Sequence, residues 1–191
     1  MIVSGVTFLQ CNSSIKTEKN DVKSPDVYFP LKEGLKWTYI NEAPRDESVL
    51  IKVSCSKNAA GDFELDKFPF FDNLHNSDTK TAISTDASGN VYIKNSSMSS
   101  ASLLVPAESL FSGDYQWKYN ELLNAYLTSK LNKVKTEFGE FDCIYILFTE
   151  GFTFSFEMWL AKGKGIVKWG ANRTNPPKPF LTYYVLKEFS E

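Results

Sequence analysis

Apolar and polar residues alternate strictly along much of the chain, a two-residue period that predicts strands. Val49, Ile51, Val53 and Cys55 share one face of a segment whose other face carries Leu50, Lys52 and Ser54. Phe63 and Leu65 alternate with Asp62, Glu64 and Asp66. Lys80 to Thr85 and Val91 to Lys94 predict a strand pair around Asp86-Ala87-Ser88-Gly89-Asn90, a hairpin-turn composition in which Gly89 or Asn90 takes positive φ. Tyr115, Trp117 and Tyr119 alternate with Gln116 and Lys118. The clearest case puts Phe152, Phe154, Phe156, Met158 and Leu160 on one apolar face, with Thr153, Ser155 and Glu157 opposite. That is a half-buried strand with its polar side outward. Cys143 to Phe148 leaves neither face polar, which predicts a strand covered on both sides in the middle of a sheet. Leu181 to Phe189 predicts a last strand.

One segment breaks the alternation. Leu123, Tyr126, Leu127, Leu131 and Val134 fall at helical spacing, with Asn120 placed to cap and Glu121 suited to a first turn. Elsewhere Gly and Pro punctuate the apolar runs at regular intervals, so the chain reads as a barrel, half-barrel or sandwich.

The N-terminus follows another logic. Ile2, Val3, Val6, Phe8 and Leu9 form a short apolar stretch that ends at Cys11, and Asn12 to Asp26 is then strongly polar. Such a stretch, a cysteine and a polar tether are how a bacterial lipoprotein signal ends. Acyl chains on Cys11 would hold the protein at a membrane, since each buried methylene contributes ~0.8 kcal/mol. The stretch is short and lacks the positive residues of an export signal, and a start site placed too far downstream accounts for both. The expected organisation is a residual signal segment (1–10), a lipidated Cys11 with a disordered tether (11–27), and one β domain (28–191). The expected location is the cell envelope, anchored or secreted.

Composition narrows the chemistry. The net charge is −2 and no basic stripe stands out, so nucleic-acid binding has little electrostatic support. A single histidine excludes multi-histidine metal sites. Asp72, His75 and Asp78 lie in a stretch with the composition of an exposed loop, and Gly163-Lys164-Gly165 lacks the spacing of a phosphate-binding loop. No serine stands in a nucleophile-elbow context. No catalytic, metal or cofactor motif emerges, and a non-enzymatic role is expected. Cys55 and Cys143 sit in apolar, strand-like surroundings, which suits either two core thiols or a disulfide.

Three segments carry a resemblance: Tyr28-Phe29-Pro30-Leu31-Lys32-Glu33-Gly34-Leu35-Lys36-Trp37-Thr38-Tyr39; Val134-Lys135-Thr136-Glu137-Phe138-Gly139-Glu140-Phe141-Asp142-Cys143; and Trp159-Leu160-Ala161-Lys162-Gly163-Lys164-Gly165-Ile166-Val167-Lys168. In this order they resemble a loose group of secreted bacterial lipoproteins of unknown function. That group is similar in architecture to the antiparallel half-barrels of lipoprotein-localisation carriers. The resemblance implies a mainly β fold built as a single curved antiparallel sheet, a half-barrel or open barrel with few or no long helices. It also implies that the segment before Val134 is a strand, and a partner in the membrane through the anchor. Fold does not fix activity.

The aromatic content, 15 Phe, 9 Tyr and 4 Trp, is the remaining lead. Trp37, Tyr39, Trp117, Tyr119, Phe152, Phe154 and Phe156 are the rings that would line a concave sheet face open to an apolar ligand such as an acyl chain, or to an envelope partner protein. Packed against one another they would instead be a filled core, suited to a structural or adhesive surface protein. A secreted hydrolase using His75 or a carboxylate pair is a third reading.

Overall fold

Alternating segments become strands, and their shared hydrophobic face decides how the sheet bends. The computed structural model describes residues 27–42, 50–68, 80–95, 98–151, 153–173 and 180–191. Cys11 and its flanks, the Asp72–His75–Asp78 stretch and Phe152 lie outside these residues. The strands are β1 Lys36–Asn41, β2 Leu50–Lys57, β3 Phe63–Asp66, β4 Lys80–Thr85, β5 Val91–Lys94, β6 Ser102–Val105, β7 Tyr115–Lys118, β8 Asn124–Thr136, β9 Gly139–Glu150, β10 Phe154–Ala161, β11 Gly165–Arg173 and β12 Phe180–Ser190. The helical element among the described residues is a single 3-10 turn, Glu108–Leu110.

All twelve strands belong to one antiparallel sheet, ordered β6-β5-β4-β3-β2-β1-β12-β11-β10-β9-β8-β7. Each neighbour is consecutive in the chain except β1 and β12, which pair from Lys36↔Ser190 to Asn41↔Tyr184 in the middle of the sheet. The free edges are therefore β6 and β7, adjacent in sequence and opposite in the sheet. Curvature brings them together, and the Trp117 indole N–H donates to the Leu103 carbonyl at 2.8 Å. The barrel is open by backbone pairing, and a side chain bridges its seam. Both edge strands are only four residues long, a length that limits pairing with other chains.

The inner face carries one continuous core. It includes Leu35, Val53, Leu65, Ile83, Ile93, Leu104, Leu127, Ile146, Phe148, Phe156, Met158, Leu160 and Trp169, all buried. The alternation read for β2, β3 and β10 is the alternation observed, and the strand pair read at 80–85 and 91–94 is β4 and β5.

Two elements depart from the sequence pattern in an instructive way. The contested segment is strand β8. Its register runs from Thr128↔Tyr145 to Asn132↔Cys143, four residues against two, so a bulge interrupts the ladder. Asp114 fixes the bulge by accepting from the Ser129 N–H at 2.9 Å and from its hydroxyl at 3.0 Å. Leu127 and Val134 are buried on either side of it while Leu131, inside it, is 50% exposed. The buried positions on either side of the bulge, Leu127 and Val134, are seven residues apart, an odd number, and this break in the two-residue period imitates a helical spacing. Strand β9 was expected in the middle of the sheet and covered on both sides. It is third from the β7 edge, and Tyr145 and Leu147 stay half-buried on its outer face. No second layer covers them among the described residues. Lateral neighbours do: the Tyr145 ring packs at 4.9 Å on Trp159 of β10. Cys55 and Cys143 are both buried and free, which decides the cysteine question for thiols.

Candidate functional site

The three sequence motifs meet at one corner of the barrel. Residues 27–35 form a strap that runs across an end of the sheet before β1. The Gly163 N–H donates to the Val27 carbonyl at 2.9 Å, tying the strap to the β10–β11 turn. Trp37 donates its indole N–H to the Lys164 carbonyl at 2.7 Å, and the Tyr39 hydroxyl donates to the Ile166 carbonyl at 2.9 Å. Gly165 has φ +78°, so this turn takes glycine for its backbone conformation; a Cβ there would rest in ordinary contact, 3.5 Å from both the Pro30 ring and the Trp37 indole. Lys164 extends its ammonium over Phe189 (4.5 Å) and over Phe138 of the β8–β9 turn (5.6 Å). The spaced residues of the three motifs are thus mainly a packing device. Their mutual contact was not legible from any motif alone.

The predicted ligand rings are brought together, though not around an open space. Trp117 and Tyr119 both pack edge-on to Phe148 (6.1 and 5.1 Å), Phe148 contacts Phe156 (6.2 Å), and Phe156 stacks on Trp169 (6.1 Å), which Tyr39 meets edge-on (6.2 Å). Trp37 packs instead on Phe189 at 5.8 Å. Phe156 is fully buried, Trp37, Tyr39, Trp117 and Tyr119 are at most 8% exposed, and Phe154 is half-buried at the start of its strand. The space left beside Trp37 and Tyr39 is about 10 Å³, room for no more than one water. Phe29 and Pro30 of the strap line it, plugging the interior from the end. Phe148 and Trp169 join the rings into one network and were missed as members of it, because ring contact across strands depends on register.

The larger concavity lies elsewhere. A groove of about 510 Å³ opens between the strap, the β4–β5 turn and the segment leading from β6 to β7. Tyr28, Phe29, Leu31, Phe63, Val91, Val105 and Phe111 supply apolar lining, and Asp86, Ser88, Glu108 and Ser109 supply polar groups. The Tyr28 and Phe111 rings meet edge-on at 5.2 Å. Asn90 links two walls by accepting from the Ala107 N–H at 2.8 Å. The charges are satisfied locally. Asp86 accepts from the backbone N–H groups of Ser88 and Asn90, the Asn90 amide and the Tyr92 hydroxyl, all at 2.8–3.1 Å. These bonds, the Asn90 amide first, hold its carboxyl below the usual range. Glu108 pairs with Lys162 at 2.5 Å, and the Lys162 ammonium lies 5.4 Å over the Tyr28 ring. Burial pushes the Tyr28 phenol upward, against the pull of Lys162. Because most of the lining comes from a strap, a turn and a connection, with Phe63, Val91 and Val105 joining from the ends of three strands, alternation within strands did not group these residues. The turn composition at 86–90 was the one local clue.

A third surface lies on the outside of the sheet. Tyr145, Trp159 and Tyr183 stand half-buried in a row on β9, β10 and β12, with Trp159 and Tyr183 rings 6.0 Å apart. Gly170 on the intervening strand makes this possible, since a Cβ there would fall 2.1 Å from the Tyr183 ring. Lys168 places its ammonium over Tyr183 (4.8 Å) and Trp159 (5.4 Å) and pairs with Glu42 at 2.7 Å. The Tyr183 hydroxyl reaches both Glu157 oxygens at 3.4 Å. Burial, then the Glu157 charge, raises the pKa of the Tyr145 and Tyr183 phenols.

Among the described residues no group of three or more His, Cys, Asp or Glu side chains could hold a metal ion, and no helix is long and apolar enough to cross a membrane. No protein-family model matches the chain, and no curated protein matches it. Two solved structures are similar to it. One is a candidate lipoprotein from Parabacteroides distasonis, at 12% identity and a TM-score of 0.39, with 85% of this chain and 98% of that chain covered. The other is a candidate exported protein with a YmcC-like fold from Bacteroides fragilis, at 12% identity and a TM-score of 0.38, with the same coverage.

Proposed function

We propose that the protein is an exported envelope lipoprotein, held at a membrane by acyl chains on Cys11, with a binding role and no catalytic one. The observation that carries this reading is the apolar stretch Ile2–Leu9 ending at Cys11, followed by a polar stretch that leads into the strap. Dual acylation gives stable anchoring where a single chain gives only marginal binding. The test is fractionation of cells expressing the full chain. The parent protein partitions with membranes and takes up an alkyne-tagged fatty acid; Cys11→Ala does neither. Membrane association unchanged by Cys11→Ala overturns the anchor.

The ligand in this reading is small and apolar, and its place is the groove at the strap. The support is volume: about 510 Å³ lies in the range of small-molecule sites, whereas the space beside Trp37 and Tyr39 is about 10 Å³. The neutral fluorophore N-phenyl-1-naphthylamine binds the groove saturably, and Ala87→Trp, a change at an exposed turn position on its wall, weakens that binding. The filled interior favours a second reading, a structural surface protein without a ligand. Absence of saturable dye binding, together with absence of co-purified lipid in native mass spectrometry, selects it.

A further inference from the structure

We propose that the outer-face row Tyr145–Trp159–Tyr183 is a binding platform for a neutral glycan. The site is separate from the groove and does not depend on the anchor.

Three observations converge on a sugar. First, the rings are neither core nor scattered. Trp159 pairs directly with Tyr145 across β9 and β10, and Tyr183 of β12 leans toward it over Gly170 of the intervening β11, so the three strands present aromatic surface in one line. Of the four tryptophans, Trp37, Trp117 and Trp169 are buried at 4%, 8% and 1% exposure, and Trp159 alone stays half-buried. Aromatic faces carry negative charge density and attract the polarised C–H groups on the flat side of a pyranose.

Second, the polar groups between the rings select the ligand. Glu157 stands beside Gly170 in the same row as Tyr183, and Lys168 stands beside Trp159. A lipid tail or an apolar protein surface laid over the row would strip water from Glu157 and from the Lys168–Glu42 pair and offer no hydrogen bonds in exchange. A sugar offers apolar C–H faces to the ring surface that the Lys168 ammonium, lying over Tyr183 and Trp159, leaves open, and hydroxyls at its rim for Glu157 and Lys168.

Third, the Glu157 carboxylate faces both the Tyr145 and the Tyr183 phenols and, with about four lone-pair sites, still has room for a further donor. Its contacts to the Tyr183 hydroxyl are 3.4 Å, long beside the ~2.7 Å of a strong O–H···O bond. A ligand hydroxyl at ordinary distance would be the better partner. The local charge, Glu157 and Glu42 against Lys168, is net negative, which disfavours uronic acids and sialic acids and favours neutral hexoses.

The test uses the full chain in native gels cast with hydroxyethylcellulose, dextran or galactomannan. Retardation is expected on at least one of them, lost on Trp159→Ala by tenfold or more in apparent affinity. Gly170→Ala, which displaces the Tyr183 ring while leaving every aromatic in the sequence, should weaken retardation several-fold. Leu122→Ala, 66% exposed in the β7–β8 connection, should leave it unchanged. Trp159 also supplies a direct readout. Acrylamide quenching of tryptophan emission comes mainly from Trp159, so the retarding polysaccharide protects it in the parent protein and not in Trp159→Phe. Should Trp159→Ala fail to fold by circular dichroism, Tyr145→Leu gives the same gel comparison. Migration unaffected by all three polysaccharides overturns the proposal, as does retardation that survives Trp159→Ala or Tyr145→Leu in folded protein.

Discussion

The two faces of this sheet are built from the same residue types and end in opposite states. On the inner face Tyr39, Phe148, Phe156 and Trp169 are buried and touch one another; on the outer face Tyr145, Trp159 and Tyr183 touch one another and stay half-exposed. Strand periodicity assigns residues to faces but does not decide which face becomes the interior. Curl decides it. The sheet rolls until the edges meet at Trp117 and Leu103, and the strap plugs an end, so rings on one face have neighbours across the barrel as well as along it. Rings on the other face have lateral neighbours only.

The largest losses are expected on the inner face. Phe156→Ala or Trp169→Ala should cost about 3–5 kcal/mol in chemical denaturation, the range for removing a large buried ring, since the surrounding network cannot collapse into the void. Trp159→Ala on the outer face should cost less than half as much under the same conditions. Equal losses would mean that the outer row is as structural as the core. Trp37→Phe keeps the ring contact with Phe189 and removes the bond to the Lys164 carbonyl, leaving a part-buried acceptor unmet; about 1 kcal/mol is expected.

Burial also makes stability depend on alkaline pH. Burial pushes the Cys143 thiol up from 9.0 to about 12, and it raises the Tyr39 phenol as well. In the unfolded chain these groups ionise near their ordinary values. Stability is therefore fully present below about pH 9 and falls as the pH climbs toward 12, because the unfolded state releases protons that the folded state retains. Melting temperatures measured across that window should decline reversibly, and Cys143→Ala should flatten part of the decline. The smallest expected effect is a gain. Thr81 is 1% exposed and its hydroxyl finds no partner among the described residues. Thr81→Val replaces that hydroxyl with a methyl group and should leave stability unchanged or raise it by up to ~1 kcal/mol.

Much of this architecture was legible in residue spacing. Val53 and Cys55, Phe63 and Leu65, or Phe156, Met158 and Leu160 announce their strands because a half-buried sheet has a period of two, and the turn at Asp86–Asn90 announces its hairpin, with Gly89 at φ +89°. What stayed hidden depends on partners far away in sequence. Leu131 looked like part of a helical stripe because the two-residue period breaks between Leu127 and Val134, across the bulge, and a bulge is visible only against its neighbouring strand. Trp117 looked like one more ring on a strand, whereas its indole bridges the seam. The groove draws on Phe29, Phe63, Val91 and Phe111, which no local pattern groups.

The position of that seam bears on how the molecule folds. Eleven neighbouring strand pairs hold the sheet, and ten of them join strands consecutive in the chain; the exception, β1 with β12, closes a loop of nearly the whole sequence. Pairing of that kind carries the largest loop-closure entropy and should come late. A circular permutant joining the end of β12 to the strap and opening the chain between Val105 and Tyr115 would make every strand pair a hairpin or near-hairpin. It would keep all eleven ladders and the Trp117–Leu103 bridge, now between the two chain ends. Such a chain has a lower contact order and should refold faster than the parent, with its stability shifted far less than its rate.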